Sequence, residues 1–232
     1  AVLDTLILPE LTTLLNVPAV FPNIQYAIDA SNDGDTVLVA SGTYVENINF
    51  NGHNISLCSN FITTQDTSYI SQTIIDGSNS NNTFRVNNSS GSLKGFTIIN
   101  GSGEYGGGVE IISSDFELSD LIVRNNTCGG GGGAGIYGFQ SNLDISNVLM
   151  HNNTSGDVGG GFYFKNNCIV NINNCQIFNN QAQSSGGGGF SRDTCLININ
   201  NTVINNNIAV NGRGGGLYFY YAEALLNRVS LV

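Results

Sequence analysis

An asparagine pair returns at one fixed interval through the second half of this 232-residue chain: Asn125-Asn126, Asn152-Asn153, Asn179-Asn180 and Asn206-Asn207, with the first member stepping by 27 each time. Glycine triplets keep pace with it between Tyr105 and Val232, at Gly106 to Gly108, Gly131 to Gly133, Gly159 to Gly161, Gly186 to Gly188 and Gly214 to Gly216. A fixed period of about 20–50 residues marks a solenoid, a propeller or an array, in which each repeat buries its apolar face against the next.

The apolar residues follow the same ruler. Four columns emerge: Phe116, Leu143, Val170, Ile197, Ala224; Leu118, Ile145, Ile172, Ile199, Leu226; Leu121, Val148, Cys175, Thr202, Val229; and Val123, Met150, Ile177, Ile204, Leu231. Within a repeat the members lie two, three and two residues apart. Steps of two describe strands with one buried face, and the step of three is a bend that keeps two strands facing one interior. A third strand is expected after each glycine cluster, with Val109 and Ile111, Ile136, Phe162 and Phe164, Phe190, then Leu217 and Phe219. Its register slips by one residue around Phe162.

Three short strands per repeat and no helical period predict an all-β fold, a right-handed parallel β-helix (solenoid) of about 27 residues per coil. Each strand then pairs with its counterpart roughly 4.8 Å along the axis. Ankyrin and tetratricopeptide arrays are excluded by the lack of helical segments, and a propeller blade needs about 40 residues.

Asn125, Asn152, Asn179 and Asn206, with Asn126, Asn153, Asn180 and Asn207, are expected to form a structural turn ladder. Asparagine tolerates the left-handed backbone and bonds nearby peptide groups, and stacked amides can bond along a ladder. The alternative is an amide stripe that binds a ligand. The glycine clusters are not followed by a helix, so they are not phosphate cradles. They allow sharp turns where a side chain would meet the next coil.

Residues 21–232 read as a single β-helix domain: a helical cap over 21–39, irregular first coils over 40–104, and regular repeats over 105–232 that stop mid-coil. Pro22 and Asn23 are helix-start signals, Ile24, Ala27 and Ile28 share one helical face, and Thr36 to Val39 is a strand. The polar stretch Asn60 to Ser71 is expected as a loop leaving the tube. Residues 1–20 form an N-terminal segment that covers an end or is exchanged with another chain. No closing element is visible at Val232, so the final coil is expected to be covered by more polypeptide or by another subunit, giving end-to-end filaments if the chain stacks on itself.

The stretch Phe21 to Ala30 followed by Gly34 to Val39 resembles the N-terminal cap of the pectin-lyase-like β-helix superfamily. Gly42 to Ile48, Ile55 to Leu57 and Thr73 to Gly77 extend the likeness. Later coils, such as Ile177 to Ala182 leading to Gly187 to Phe190, are similar to the repeats of chlamydial polymorphic outer-membrane proteins and related bacterial surface proteins. The resemblance implies an extracellular or bacterial cell-surface location, and a family that mixes lyases, hydrolases and adhesins.

A net charge of −10 excludes the basic stripe that nucleic acid requires. No apolar run reaches the roughly 20 residues of a membrane span. Of the five cysteines, Cys168 and Cys195 lie 27 apart in an inward column, as buried thiols or as a disulfide. No Cys or His spacing indicates a metal, so no cofactor is expected.

The candidate chemistry is sparse. Glu117 and Asp144 lie 27 apart and face outward, where stacked carboxylates could bind Ca²⁺ or divide acid and base work. Arg124 stands below His151, and Lys165 near Arg192. The outer series Tyr137, Tyr163 and Tyr218, with Glu110 and Ser191, is a candidate for stacking sugar rings. The Asn-x-Asp, Asp-Asp, Gly-His-Gly and Arg-x-Lys set that resemblance to polygalacturonases would require is absent, as is the Arg-x-Pro-x-x-Arg pattern of pectate lyases. The expected role is therefore a non-catalytic structural or adhesive protein, partnered by itself end to end or by another surface protein. The alternative is a polysaccharide lyase, a glycosidase or a carbohydrate-binding module.

Overall fold

The computed structural model describes residues 13–232. Among them, the strands stack into four sheets of nine, eight, seven and five strands, and every pairing between neighbours is parallel. In the nine-stranded sheet Asp115–Ser119 pairs with Asn142–Ser146, then Ile169–Asn173, then Leu196–Asn200, each one repeat further along the chain. The chain is a parallel β-solenoid.

The four apolar columns point inward. Ile145, Ile172 and Ile199 are stacked in register and buried, as are Val123, Met150, Ile177 and Ile204. On the last coil Ala224, Leu226 and Leu231 continue these columns, with a partner strand on one side only, and are exposed. The step of three between the nine- and eight-stranded sheets is made by one left-handed residue per coil: Asp120, Asn147, Asn174 and Asn201, at φ of 55°, 54°, 55° and 48°. That conformation costs most residues about 1–2 kcal/mol, and Asn and Asp adopt it most readily because their short side chains bond locally.

The two asparagines of each pair do different things. Asn125, Asn152, Asn179 and Asn206 are the turn residues, at φ of 56°, 55°, 54° and 51°. Asn126, Asn153 and Asn180 are buried and form an amide ladder with Asn207: each Nδ2 donates to the next Oδ1 at 3.0 Å.

The pair is followed by a fourth strand per coil, in place of the three expected. It runs over Thr127–Gly132, Thr154–Ser155, Gln181–Ala182 and Ile208–Ala209, and the sheet begins with Ser102–Tyr105, which follows Asn100-Gly101. Most of these strands are too short to show an apolar alternation, which is why no sequence period announces them.

The seven-stranded sheet corrects the expected register. Ile136 pairs with Phe162, Phe162 with Gly189, and Gly189 with Leu217. Phe190 therefore faces outward in line with Tyr163 and Tyr218, while Ser191 faces inward with Phe164 and Phe219 and is fully buried. Volume explains the arrangement. Phe162 and Phe164 stack at 4.8 Å inside the tube. A Cβ at Gly138 or Gly189, one coil to either side, would run into these rings. Two large side chains on one coil are matched by small ones on both neighbours, as dense packing requires.

The first coils are irregular. Register partners differ by 20 in residue number from Thr36 to Ser56, by 36 from Ser56 to Ser92 and by 25 from Ser90 to Asp115. Near the start, helix α1 (Ile24–Asp29) buries Ile24, Ala27 and Ile28, and the Asn23 side chain caps it by accepting from the Tyr26 N–H at 2.9 Å. The longest coil holds two helical turns, α2 (Phe61–Thr64) and α3 (Ser68–Gln72), where a loop was expected. Hydroxyl and carboxylate side chains organise them: Thr63 and Thr64 donate to the Asn60 carbonyl, and Asp66 accepts from the Ser68 N–H at 2.9 Å. Of the segment 1–20, residues 1–12 lie outside the described residues. Leu14–Val17 is a strand that extends the nine-stranded sheet beside Thr36–Val39.

Candidate functional site

The outer face of the nine-stranded sheet carries the adjacent carboxylates. Its period-two strands alternate buried apolar residues with outward polar ones, and the constant repeat length stacks those outward residues into columns. Glu117 and Asp144 are register partners, as the spacing predicts. Each is already engaged. Glu117 Oε2 lies 2.7 Å from Lys94 Nζ, and Asp144 Oδ1 accepts from Asn171 Nδ2 at 2.8 Å. The same arrangement recurs beside them, where Asn142 donates to Asp115 at 2.7 Å and Asn147 to Asp120 at 3.0 Å. Asn198 to Asn171 and Asn200 to Asn173 extend the external ladders without charge.

A chain of shallow cavities runs along this face. One of about 350 Å³ includes Ser90, Ser113 and Asp115; the next, about 290 Å³, shares Asp115 and adds Glu117, Asp144 and Ile169. A third of about 330 Å³ shares Ile169 and reaches Leu196, Asn198 and Glu223, and a fourth of about 510 Å³ shares Leu196 and Glu223. Neighbouring depressions share lining residues across successive coils and outline a shallow groove, two of them on the sheet face and two at the bend that precedes it, beside Ser113 and Thr194. Ile169 and Leu196 are exposed in its floor, 47 % and 44 %, among amides and carboxylates. Sequence reading did not single out these two or Lys94. An apolar residue in an otherwise polar outer column was the available signal for the first two.

Arg124 and His151 are also register partners, but on the eight-stranded sheet, around the bend at Asp120 and Asn147 from Glu117 and Asp144. His151 stacks on Phe178 with centroids 4.7 Å apart and rings 7° from parallel. Burial holds its pKa below the ordinary histidine value and the Arg124 charge adds to this, so the neutral imidazole is favoured. Its Nδ1 has no hydrogen-bond partner. The four residues do not form one acid–base constellation. Lys165 and Arg192 are register partners, and Arg192 Nε is 2.8 Å from Asp193.

The tyrosine column is not an open sugar platform. Tyr137, Tyr163 and Phe190 are buried, at 5 %, 3 % and 5 % exposure, and Tyr218 is half-buried. The rings pack on one another: Tyr105 to Tyr137, Tyr163, Phe190 and Tyr218 are spaced 4.7, 5.4, 5.2 and 5.5 Å apart. Val158 and the glycine-rich turn at Gly132 and Gly133 lie against them, where an added Cβ would meet the backbone and the Tyr163 ring at Gly132, and the backbone and the Tyr137 and Tyr163 side chains at Gly133. Burial pushes the Tyr163 hydroxyl up to about 12 and Tyr137 higher still. Glu110 in the same outer column is buried too, paired with Arg85 at 2.6 Å. This column is a second, external core.

Among the described residues no three His, Cys, Asp or Glu side chains gather closely enough to hold a metal ion, and no helix is long and apolar enough to cross a membrane.

No protein-family model matches the chain, and no curated protein sequence matches it. Two solved structures of the pectin methylesterase from Aspergillus niger are similar to it in backbone architecture. The form retaining an N-acetylglucosamine stub is 17 % identical over 94 % of this chain and 86 % of its own, with a TM-score of 0.44. The deglycosylated form is 16 % identical over 97 % and 87 %, with a TM-score of 0.45. Strand pairing and surface together define the class of molecule: a parallel β-solenoid with a polar groove along its widest sheet.

Proposed function

We propose that this chain is a non-catalytic, extracellular β-solenoid with an adhesive or structural role, and that the groove on its nine-stranded sheet is the face offered to a polysaccharide. One observation carries the reading: the adjacent carboxylates Glu117 and Asp144 each have a resident partner on a neighbouring strand, Lys94 and Asn171. A general acid and base pair needs one carboxyl free to donate and one free to accept. The amides and exposed Ile169 and Leu196 suit hydroxyl groups and the apolar faces of sugar rings instead.

The test is turnover against binding. The purified chain is incubated with polygalacturonate, methyl-esterified pectin and a neutral glucan, with Ca²⁺ or with a chelator, and new reducing ends, unsaturated ends and methanol are measured. The expected result is no turnover, retention on at least one immobilised polymer, and a melting temperature unchanged by the chelator. Turnover lost in Glu117→Gln or Asp144→Asn would establish the lyase or hydrolase alternative and overturn the proposal.

End-to-end contact with a second copy or another surface protein belongs to the same reading. Sedimentation of the purified chain is expected to show concentration-dependent growth beyond a monomer, and a monomer at all concentrations removes self-association.

A further inference from the structure

We propose that Cys168 and Cys195 are a redox pair that joins, under oxidising conditions, as a disulfide linking two adjacent coils. Strand register places the two together, independently of the functional reading. Ile169 pairs with Leu196, and the Leu196 N–H donates to the Cys168 carbonyl at 2.8 Å, so the two cysteines face each other across one coil step. That step of roughly 4.8 Å lies inside the Cα separation a disulfide accepts, about 4.4–6.8 Å. The Cys168 N–H already donates to Cys195 Sγ at 3.3 Å.

The rest of the column makes the choice of sulfur informative. On earlier coils it is Ser89, Ser114 and Ser141, and the same bond is made by hydroxyls: the Ser89 N–H donates to Ser114 Oγ at 3.1 Å and the Ser114 N–H to Ser141 Oγ at 3.2 Å. The ladder is thus satisfied by serine, and two consecutive changes to cysteine are not required by it. None of the other three cysteines stacks on a cysteine. Cys58 pairs with Lys94, Cys128 with Ser155, and the Cys175 N–H donates to Thr202. Burial pushes the Cys58 and Cys175 thiols up to about 11, which keeps them protonated. The proximity of the two thiols moves their pKa values apart, Cys168 up and Cys195 down, and the Cys168 N–H that donates to Cys195 Sγ favours the thiolate at Cys195.

With a glutathione disulfide as oxidant, the Cys195 thiolate attacks one of its sulfurs and releases one glutathione thiol. Cys168, turned away from the Lys165 carbonyl it now bonds at 3.3 Å, attacks the Cys195 sulfur and releases the second. Two thiols are oxidised and one disulfide is reduced. Both sulfurs are buried, so the exchange takes place while the coils assemble or open.

The test refolds the full chain in a glutathione redox buffer, confirms the β signal by circular dichroism, then quenches with acid and alkylates the unfolded chain. The expected result is three alkylated cysteines, Cys58, Cys128 and Cys175, and one linked peptide pair. Trypsin cuts after Lys165, Arg192 and Arg213, so the pair is 166–192 joined to 193–213; fragmentation distinguishes Cys168 from Cys175 in the first. Closing a loop of this size is expected to raise the melting temperature by roughly 5–10 °C relative to the reduced chain. Cys168→Ser/Cys195→Ser restores the hydroxyl ladder of the earlier coils, so it should fold and lose the redox-dependent shift. Five alkylated cysteines in the folded wild type, a link through Cys175, or a shift that survives in the double variant would overturn the proposal.

Discussion

Asn153→Ala is expected to destabilise the solenoid by roughly 3–5 kcal/mol, whereas Asn152→Ala, one residue earlier, should cost only about 1 kcal/mol and Asn152→Gly almost nothing. Asn153 is fully buried and serves four groups. Its Oδ1 accepts from the N–H and Nδ2 of Asn126 at 3.1 and 3.0 Å, and its Nδ2 donates to Asn180 Oδ1 and to the Val123 carbonyl, both at 3.0 Å. Alanine removes all four bonds, each contributing about 0.5–1.5 kcal/mol net, and takes away the acceptor of the buried Asn126 N–H, while Asn126 Nδ2 keeps the Ile98 and Arg124 carbonyls and Asn180 Oδ1 keeps the Asn153 N–H. Asn152 is exposed and contributes its backbone at φ 55°. Alanine there meets only the left-handed penalty, which glycine does not. Chemical denaturation of the three variants measures the contrast. Equal losses at both positions would remove the division of labour between the two asparagines.

The parts of this fold that could be read from the sequence are those whose spacing is constant from coil to coil and whose inward residues are large. The columns through Ile145, Ile172 and Ile199 and through Met150, Ile177 and Ile204 meet both conditions. The seven-stranded sheet meets neither. Its partners step by 26 from Ile136 to Phe162, by 27 to Gly189 and by 28 to Leu217. Its inward residues on one coil are Gly189 and Ser191, so apolarity picks the outward Phe190 instead. What decides that register is the volume of Phe162 and Phe164 on the neighbouring coil, a quantity that no single repeat contains. The buried tyrosines failed as a sugar platform for a related reason: the glycine-rich turn that shields them has no apolar period. At the groove, the adjacency of Glu117 and Asp144 follows from spacing alone. Lys94 does not, because it pairs in register with Ser119 and reaches Glu117 diagonally from the preceding, shorter coil.

Ile172→Asp should abolish folding or cost upward of about 4 kcal/mol, while Ile169→Asp on the same strand should stay within about 1 kcal/mol of the parent. The strand Ile169–Asn173 places these two isoleucines on opposite faces, because they are an odd number of residues apart. Ile172 is 1 % exposed and sits between Ile145 and Ile199 in the middle of a column that continues to Leu118. Aspartate there forfeits the burial of a large apolar side chain, about 1.5–3 kcal/mol, leaves a void between two branched neighbours, and buries a carboxyl where the flanking inward side chains offer only hydrocarbon. Ile169 is 47 % exposed in the groove, with Asn142 and Leu196 beside it in the outer column. Aspartate at that site stays hydrated and can accept from the Asn142 amide, so little is lost beyond strand propensity and some cross-strand contact. Because the substitution, the strand and the parent residue are the same, the difference between the two variants isolates the face. Circular dichroism and denaturant midpoints read it directly. A folded Ile172→Asp with a midpoint close to that of Ile169→Asp would mean that the interior of the tube is not where these columns place it.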